Sequence, residues 1–253
     1  MTDLPNTGLV QPDRWTQLRA LTSARIALGR SGVSIPSREL LSFRLDHAHA
    51  RDAVYSTLDI NALQRGLEPL GLITPVVQSE ALNREMYIQR PDKGRRLEIT
   101  AATALAAQIS PGKLVIVLAD GLSAEAVNRH AISLINDLLP RLYDAGISTR
   151  HCVLACQGRV ALGDDIGERL HAEIVLVLIG ERPGLSSPDS LGAYLTYRPR
   201  VGLTDESRNC VSNIRPEGLS YHHAANKLFY LITQATYLQL SGIGLKDNDG
   251  LKK

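Results

Sequence analysis

Three short stretches in the second half of the chain are apolar at almost every position: KLVIVLAD (113–120), CVLACQG (152–158) and EIVLVLI (173–179). Strands that are covered on both faces show this continuous pattern, whereas half-exposed strands alternate apolar and polar residues. Amphipathic helical patterns follow the first two stretches, a long one over 124–146 and a short one over 163–172. Because such alternation is typical of right-handed βαβ units, the pattern predicts a parallel sheet.

The first hundred residues show helical spacing instead. Apolar residues recur at helical intervals over 12–30, which predicts a first helix. A second helix is expected to begin at the N-cap Ser37 and to run to Tyr55. A third is expected between a capping Asp59 and a terminating Gly71. Their apolar stripes need a surface on which to pack.

The pattern therefore divides the chain into two parts. The first is an N-terminal helical segment, residues 1–94, and the second is an α/β domain, a parallel sheet flanked by helices, residues 95–253. The second part is expected to open with a helix over 95–109 that packs on the sheet. A turn at Pro111 and Gly112 then leads into the first strand.

Composition excludes several classes of protein. The 253 residues are 44% hydrophobic and 21% charged, as in globular proteins, and a net charge of +2 predicts no nucleic-acid partner. Three cysteines at irregular spacing predict a reducing compartment rather than a disulfide framework. No apolar run approaches the length of a membrane span, and the start, MTDLPNTGLVQPDRW, lacks the pattern of a signal peptide. We therefore expect a cytoplasmic protein with no membrane partner.

The predicted strands all end in glycine and polar residues. The three ends are ADGLS, CQGRV and IGERPGLSS, which carry Asp120, Gln157, Arg159, Glu181 and Arg182. Parallel strands end on the same edge of a sheet, and ligands of open α/β sheets bind at that edge. Glycine lets the backbone approach a ligand closely. The sequence therefore predicts a binding crevice there.

Known short motifs do not identify the ligand. No GxGxxG follows a strand, and GxxxxGK[ST] is absent, so the fingerprints of dinucleotide and P-loop sites are lacking. DHAHARD (46–52) has residues of the metal-ligating types, but its histidines are two apart and point to different sides of a helix, so a solvated helix face is favoured. We find no set of catalytic residues and no metal ligands. This suggests a chain that completes a site belonging mostly to another polypeptide.

Longer motifs resemble one family. GERPGLSSPDSLGAYLTY (180–197), RVGLTDESRNCVSNIRPEGLSYHHAANKL (200–228) and SGIGLKD (241–247) resemble the small (light) subunit of adenosylcobalamin-dependent ethanolamine ammonia-lyase. ADGLSAEAVNRHA (119–131) and SRELLSFRLDHAHARDAVY (37–55) resemble stretches of the same subunit. The resemblance covers nearly all of the chain beyond the first dozen residues.

The resemblance implies an activity and its partners. In that family, ethanolamine is split into acetaldehyde and ammonia by a radical mechanism that uses adenosylcobalamin. The large subunit, a TIM barrel, holds the substrate, and the small subunit has a Rossmann-like fold and closes over the cobalamin. Both assemble into a higher hetero-oligomer. The resemblance also leaves open a location inside a bacterial microcompartment.

The resemblance further implies three cofactor-binding residues: Val160 in CQGRVALGD, Glu181 in GERPGL and Cys210 in ESRNCVSN. Their chemistry suits a corrin, a flat and mostly apolar macrocycle rimmed by amides. Valine offers an apolar contact, glutamate accepts hydrogen bonds from amide groups, and cysteine is a small polarizable wall residue.

Two other interpretations stay open on sequence grounds. The chain is alternatively a free-standing Rossmann-like module that binds a small molecule or a nucleotide. As a third hypothesis, it is a purely structural assembly subunit whose strand-end loops make protein contacts. The positions of Val160, Glu181 and Cys210 in space bear on all three.

Overall fold

The computed structural model describes residues 9–108 and 112–246. Contacts divide the chain into a smaller unit, Met1–Asp52 with Gly184–Pro188, and a larger unit, Ala53–Pro183 with Asp189–Lys253. The division falls after Asp52, whereas the sequence places a domain boundary after residue 94. A functional separation of residues 1–94 from residues 95–253 stays a prediction.

The smaller unit contains little regular structure before its one long helix. The predicted helix over 12–30 is wrong, because only a 3-10 helix forms, over Thr16–Leu21, and none of its residues is buried. Helices of this length depend on a buried face for their stability, and this stretch has none. The second predicted helix is confirmed over Ser37–Tyr55, which is α1, but Ser37 is its first helical residue rather than its N-cap.

The larger unit is built on a six-stranded sheet in the order β1-β3-β2-β4-β5-β6. Strands β1 to β4 are parallel to one another, β5 runs antiparallel to β4, and β6 runs antiparallel to β5. The strands are β1 Val76–Gln78, β2 Leu114–Ala119, β3 Thr149–Cys156, β4 Ile174–Gly180, β5 Leu191–Tyr197 and β6 Arg208–Ile214. The α/β class is confirmed, but the sheet is mixed rather than parallel, so its Rossmann-like character is not confirmed.

The short connection between β4 and β5 explains why the sheet is mixed rather than parallel. Only residues 181–190 separate β4 from β5. A parallel neighbour needs a crossover of about a dozen residues or more, so the chain turns back and pairs antiparallel. The first strand was also missed: β1 has three residues, too few to show a periodic pattern, and it lies within the segment predicted to be helical.

The helices of the larger unit mostly follow the sequence pattern. Asp59 caps α2 as predicted by accepting a hydrogen bond from the Ala62 nitrogen at 2.9 Å, and Gly71 ends the next turn at φ 67°. The helices are α2 Ile60–Leu67, α3 Arg84–Gln89, α4 Ile99–Ala106, α5 Ala124–Asp144, α6 Leu162–Arg169 and α7 Tyr221–Leu238. The turn predicted at Pro111 lies outside the described residues.

Helices cover both faces of the sheet. Ile116 of β2 and Leu176 of β4 pack with α5 and α7 on one face, while Val117 and Val177 pack with α4 and α6 on the other. Every residue of β2 and β4 is buried. The continuous apolar pattern of these two strands is the consequence of that double coverage.

Candidate binding site at the carboxyl edge of the sheet

Two glycines bring the loops after β2 and β4 together. Gly121, at φ 57°, lies so close to β4 that a Cβ atom there would collide with the carbonyl oxygen of Gly180. A Cβ atom on Gly180 would collide with the carbonyl oxygen of Ser123. The Leu122 nitrogen donates to the Gly180 oxygen at 3.0 Å. Because only glycine fits at these positions, the two strand ends form one continuous surface.

Asp120 joins the end of β3 to the same surface. Its buried carboxylate accepts hydrogen bonds from the backbone nitrogens of Gln157 at 2.8 Å and Gly158 at 2.9 Å. These bonds hold Gln157 at φ 54°, a left-handed conformation that few residues other than glycine adopt. Burial raises the pKa of Asp120 to about 6. Asp120 therefore stabilises the loop that carries Arg159 and Val160.

A cavity of about 330 Å³ lies where the three loops meet. The loops contribute most of its wall, and one tyrosine from α3 and one from β5 complete it. The lining residues are Tyr87, Gly121, Leu122, Arg159, Val160, Ile179, Gly180, Glu181, Arg182 and Tyr194. The predicted crevice at the carboxyl edge is thus present, and Val160 and Glu181 both line it.

Glu181 is held in one orientation at the junction of β4 and β5. Its Oε2 atom accepts hydrogen bonds from the Ser190 hydroxyl and, at 3.2 Å, from the Asn213 backbone nitrogen. Its own backbone nitrogen donates to the Ser190 oxygen at 2.9 Å. A carboxylate restrained in this way meets a ligand with little further loss of conformational entropy.

Cys210 lies one side chain away from the cavity. It is the cross-strand neighbour of Tyr194 in the pairing of β5 with β6. Burial raises the pKa of both Tyr194 and Cys210, so the thiol stays protonated at neutral pH. A protonated thiol is a weak nucleophile, which suits a wall residue. The structure therefore brings Val160 and Glu181 together in one cavity, whereas Cys210, an exposed residue of β6, lies outside its lining.

Sequence reasoning missed a group of residues contributed by α3. The guanidinium groups of Arg84 and Arg159 flank the Tyr87 ring, with their central carbons 4.7 and 4.4 Å from its centroid. Arg159 also donates to the Tyr87 carbonyl oxygen at 2.8 Å, and Arg84 donates to the Gly121 oxygen at 2.7 Å. Burial raises the pKa of Tyr87 to about 12. No local motif marks Arg84 or Tyr87, because both lie more than thirty residues before the strand ends that they meet.

A second cavity, of about 400 Å³, lies within the smaller unit. It is polar, and its charged groups are already paired: Arg19 with Glu39 at 3.1 Å, and Arg25 with Asp46. Asp46 and His49 of DHAHARD line it. Among the described residues, no group of three or more histidine, cysteine or acidic side chains is placed to hold a metal ion. The edge cavity is the better candidate for a ligand, since it is formed at strand ends and glycine contacts.

The fold and this cavity define an α/β protein with a candidate ligand site at the carboxyl edge of its sheet. Comparison with known proteins specifies the class further. The sequence pattern of the family "Ethanolamine ammonia-lyase light chain (EutC)" matches residues 12–246. The chain belongs to this family, and it is thus a subunit of a carbon–nitrogen lyase.

Individual relatives agree with the assignment. The "Ethanolamine ammonia-lyase small subunit" of Azotobacter vinelandii is 55% identical over 237 residues, covering 92% of this chain and 88% of the relative. The protein of the same name from Ralstonia nicotianae is 52% identical over 249 residues, covering 97% and 92%. That from Rhodopseudomonas palustris is 53% identical over 236 residues, covering 93% and 90%.

In residues 9–108 and 112–246, no helix is both long enough and apolar enough to cross a bilayer.

Proposed function

We propose that the chain is the cobalamin-contacting small subunit of an adenosylcobalamin-dependent ethanolamine ammonia-lyase, which converts ethanolamine to acetaldehyde and ammonia. A large subunit completes the cofactor site and holds the substrate. The observation that carries the proposal is the cavity at the carboxyl edge, since Val160 and Glu181 line it together and Tyr194, which also lines it, is the cross-strand neighbour of Cys210. Family membership supports the reaction.

The chemistry of the cavity fits one side of a corrin. Val160, Leu122 and Ile179 offer apolar surface, and the restrained Glu181 carboxylate is an acceptor for amide groups at the rim. Small-molecule pockets have volumes of about 300–1,000 Å³ and bury most of their ligand. A cavity of about 330 Å³ holds only part of a cobalamin, so the remainder needs a second polypeptide.

The cofactor, when bound, supplies the carbon-centred radical that starts deamination. The residues of this chain bind and orient it. Val160 excludes water from an apolar face, Glu181 fixes the rim, and the protonated Cys210 thiol fills space without offering a nucleophile. We assign no catalytic residue to this chain.

Helix α1 supports the presence of a large partner. Of its nineteen residues only Ala53 is buried. Leu41 and Leu45 lie four residues apart on one face of the helix and are 63% and 56% exposed. Apolar side chains exposed together along a helix mark a surface that another molecule covers. Residence in the cytoplasm or within a bacterial microcompartment stays a prediction from the resemblance.

The test reconstitutes the complex from separately purified small and large subunits and adenosylcobalamin. We expect ammonia-lyase activity and corrinoid absorption from the mixture, and no activity from this chain alone. Turnover by the isolated chain would contradict the proposal. Corrinoid bound tightly by the isolated chain would favour the free-standing binding module instead.

A substitution separates cofactor contact from a purely structural role. Glu181→Gln keeps an oxygen that accepts from Asn213 but removes the charge. A hydrogen bond to a charged group contributes about 1.5–3 kcal/mol, so we expect the cobalamin dissociation constant of the complex to rise at least tenfold. Glu68→Gln, on an exposed turn away from the cavity, is the matched control. Unchanged affinity in Glu181→Gln, with a normal complex, would favour the assembly-subunit hypothesis.

A further inference from the structure

The edge cavity carries more positive than negative charge. Arg159 and Arg182 line it, and Arg84 lies behind the Tyr87 ring. The carboxylates at this edge are Asp120 and Glu181, so three guanidinium groups face two carboxylates. Among the described residues, none of these three arginines forms an ion pair with a carboxylate.

Both carboxylates already have other hydrogen-bond donors. Asp120 accepts from the backbone nitrogens of Gln157 and Gly158. Glu181 accepts from the Ser190 hydroxyl and the Asn213 nitrogen. The two carboxylates therefore do not depend on the arginines for their hydrogen bonds.

The arginines also hold unused hydrogen-bonding capacity. In the part of the chain that the structure describes, Arg159 Nε and Arg84 Nη2 are buried nitrogens with no hydrogen-bond partner. Buried polar groups without partners are rare in native proteins, and each needs an explanation. One explanation is that a ligand brings an anionic oxygen to these nitrogens. This explanation also accounts for the excess of positive charge.

The Arg159 guanidinium is fixed in position before any ligand arrives. It stacks 4.4 Å from the centroid of the Tyr87 ring and donates to the Tyr87 oxygen at 2.8 Å. The Arg159 backbone nitrogen donates to the Gly94 oxygen at 2.8 Å. A planar guanidinium that is fixed in this way suits the paired oxygens of a phosphate group.

We propose that the edge cavity contains a phosphodiester subsite, in which Arg159 and Arg182 contact the anionic oxygens and Arg84, through Tyr87, positions Arg159. The inference rests on the proposed function: cobalamin carries one phosphodiester, in its nucleotide loop. The same chemistry would accept free phosphate, and the experiment separates the two sources.

The decisive comparison uses two corrinoids. Hydroxocobalamin has the nucleotide loop, and cobinamide is the same corrin without the loop and its phosphodiester. Both are titrated, by visible absorption, into the complex of this chain with its large subunit. For each corrinoid, the dissociation constant of the variant is divided by that of wild type. Differences between the corrinoids that are unrelated to Arg159 cancel in this quotient, so comparing the quotients of hydroxocobalamin and cobinamide isolates the phosphodiester contact.

We expect Arg159→Gln to weaken hydroxocobalamin at least tenfold and cobinamide less than twofold. Arg182→Gln, an exposed change that leaves the fold intact, should weaken hydroxocobalamin about threefold and spare cobinamide. Arg65→Gln, which removes the same charge from the exposed side of α2, should change neither. Equal losses for both corrinoids in Arg159→Gln and Arg182→Gln would overturn the proposal.

Inorganic phosphate distinguishes the sources of the anion. We expect it to compete with hydroxocobalamin and not with cobinamide. Phosphate binding that is lost in Arg159→Gln, while hydroxocobalamin affinity is retained, would reassign the subsite to free phosphate and overturn the corrinoid contact. If the wild-type complex binds neither corrinoid, the proposed function fails. Equilibrium dialysis with phosphate then still tests the anion subsite, and no binding by wild type would overturn it as well.

Discussion

Helix α1 and strand β4 differ in where they place their apolar residues, since those of β4 are buried and those of α1 are largely exposed. All seven residues of β4 are buried, under helices on both faces of the sheet. In α1, only Ala53 is buried, although the helix carries four leucine and phenylalanine residues that are at least 37% exposed. The sheet is stabilised by this chain alone, whereas we propose that α1 is covered by a partner.

The largest effect is expected in the core. Leu176→Ala removes a fully buried side chain of β4 from the sheet face that α5 and α7 cover, which should lower the free energy of unfolding by about 2–5 kcal/mol. Leu41→Ala in α1 should change it by less than about 0.5 kcal/mol in the isolated chain. Urea denaturation measures both. Similar losses in the two variants would show that α1 packs within this chain after all.

The free energy of unfolding should depend on pH because Asp120 is buried at the edge of the sheet. The folded-state pKa of Asp120 is about 6, above its ordinary value of 3.8, so the native state binds the proton more tightly than the unfolded state. Stability from this group is present below about pH 4 and is lost as pH rises through about 6. The loss is on the order of 3 kcal/mol.

The measurement is the difference in unfolding free energy between wild type and Asp120→Asn, taken from pH 4 to 7. Subtraction removes the opposite contribution of acids such as Asp92, whose pKa is lowered to about 2 by its hydrogen bond with Arg90. A difference that stays constant with pH would contradict the burial argument.

The proposed covering of α1 should appear as loss of assembly. Leu41→Asp together with Leu45→Asp places two charges on the exposed apolar face, at residues 63% and 56% exposed. We expect the affinity for the large subunit to fall at least tenfold in sedimentation experiments, with little change in the stability of the isolated chain. Arg38→Asp, on the same helix and also exposed, controls for added charge. Normal assembly of the double variant would place the partner elsewhere.

The smallest effect concerns the ion pairs of the smaller unit. Arg19 and Glu39 lie 3.1 Å apart, with the Arg19 side chain 41% exposed. Exposed pairs contribute about 0.2–1 kcal/mol, so Glu39→Gln should lower the free energy of unfolding by no more than about 1 kcal/mol. High salt should reduce the difference further. A loss comparable to that of Leu176→Ala would mean that the polar cavity is a structural core.

Sequence patterns predicted the parts of the fold that depend on local periodicity. The three continuous apolar stretches became β2, β3 and β4, and Ser37 and Asp59 mark the starts of α1 and α2. The pattern failed over 12–30, where apolar spacing suggested a helix but nothing buries it. It failed again at β1, since three residues show no periodicity, and it left β5 and β6 unassigned.

The candidate site was predicted in part. Glycine and polar residues after the strands located the edge, and the family resemblance indicated Val160, Glu181 and Cys210. Tyr87 and Arg84 had no such signal. Their role depends on where α3 packs, which is set by contacts with distant parts of the chain, such as the hydrogen bonds from Arg84 to Gly121 and from Arg159 to Tyr87.

By itself, the sequence determined the α/β class, the buried strands, the polar strand ends and the family. The first three depend on the local pattern of apolar and polar residues, and the family depends on long motifs. Only the tertiary structure decided that the sheet is mixed, that two arginines stack on Tyr87, and that Asp120 holds the loop after β3. These features arise from pairings between distant segments, and hydrophobic periodicity does not specify which distant segments meet.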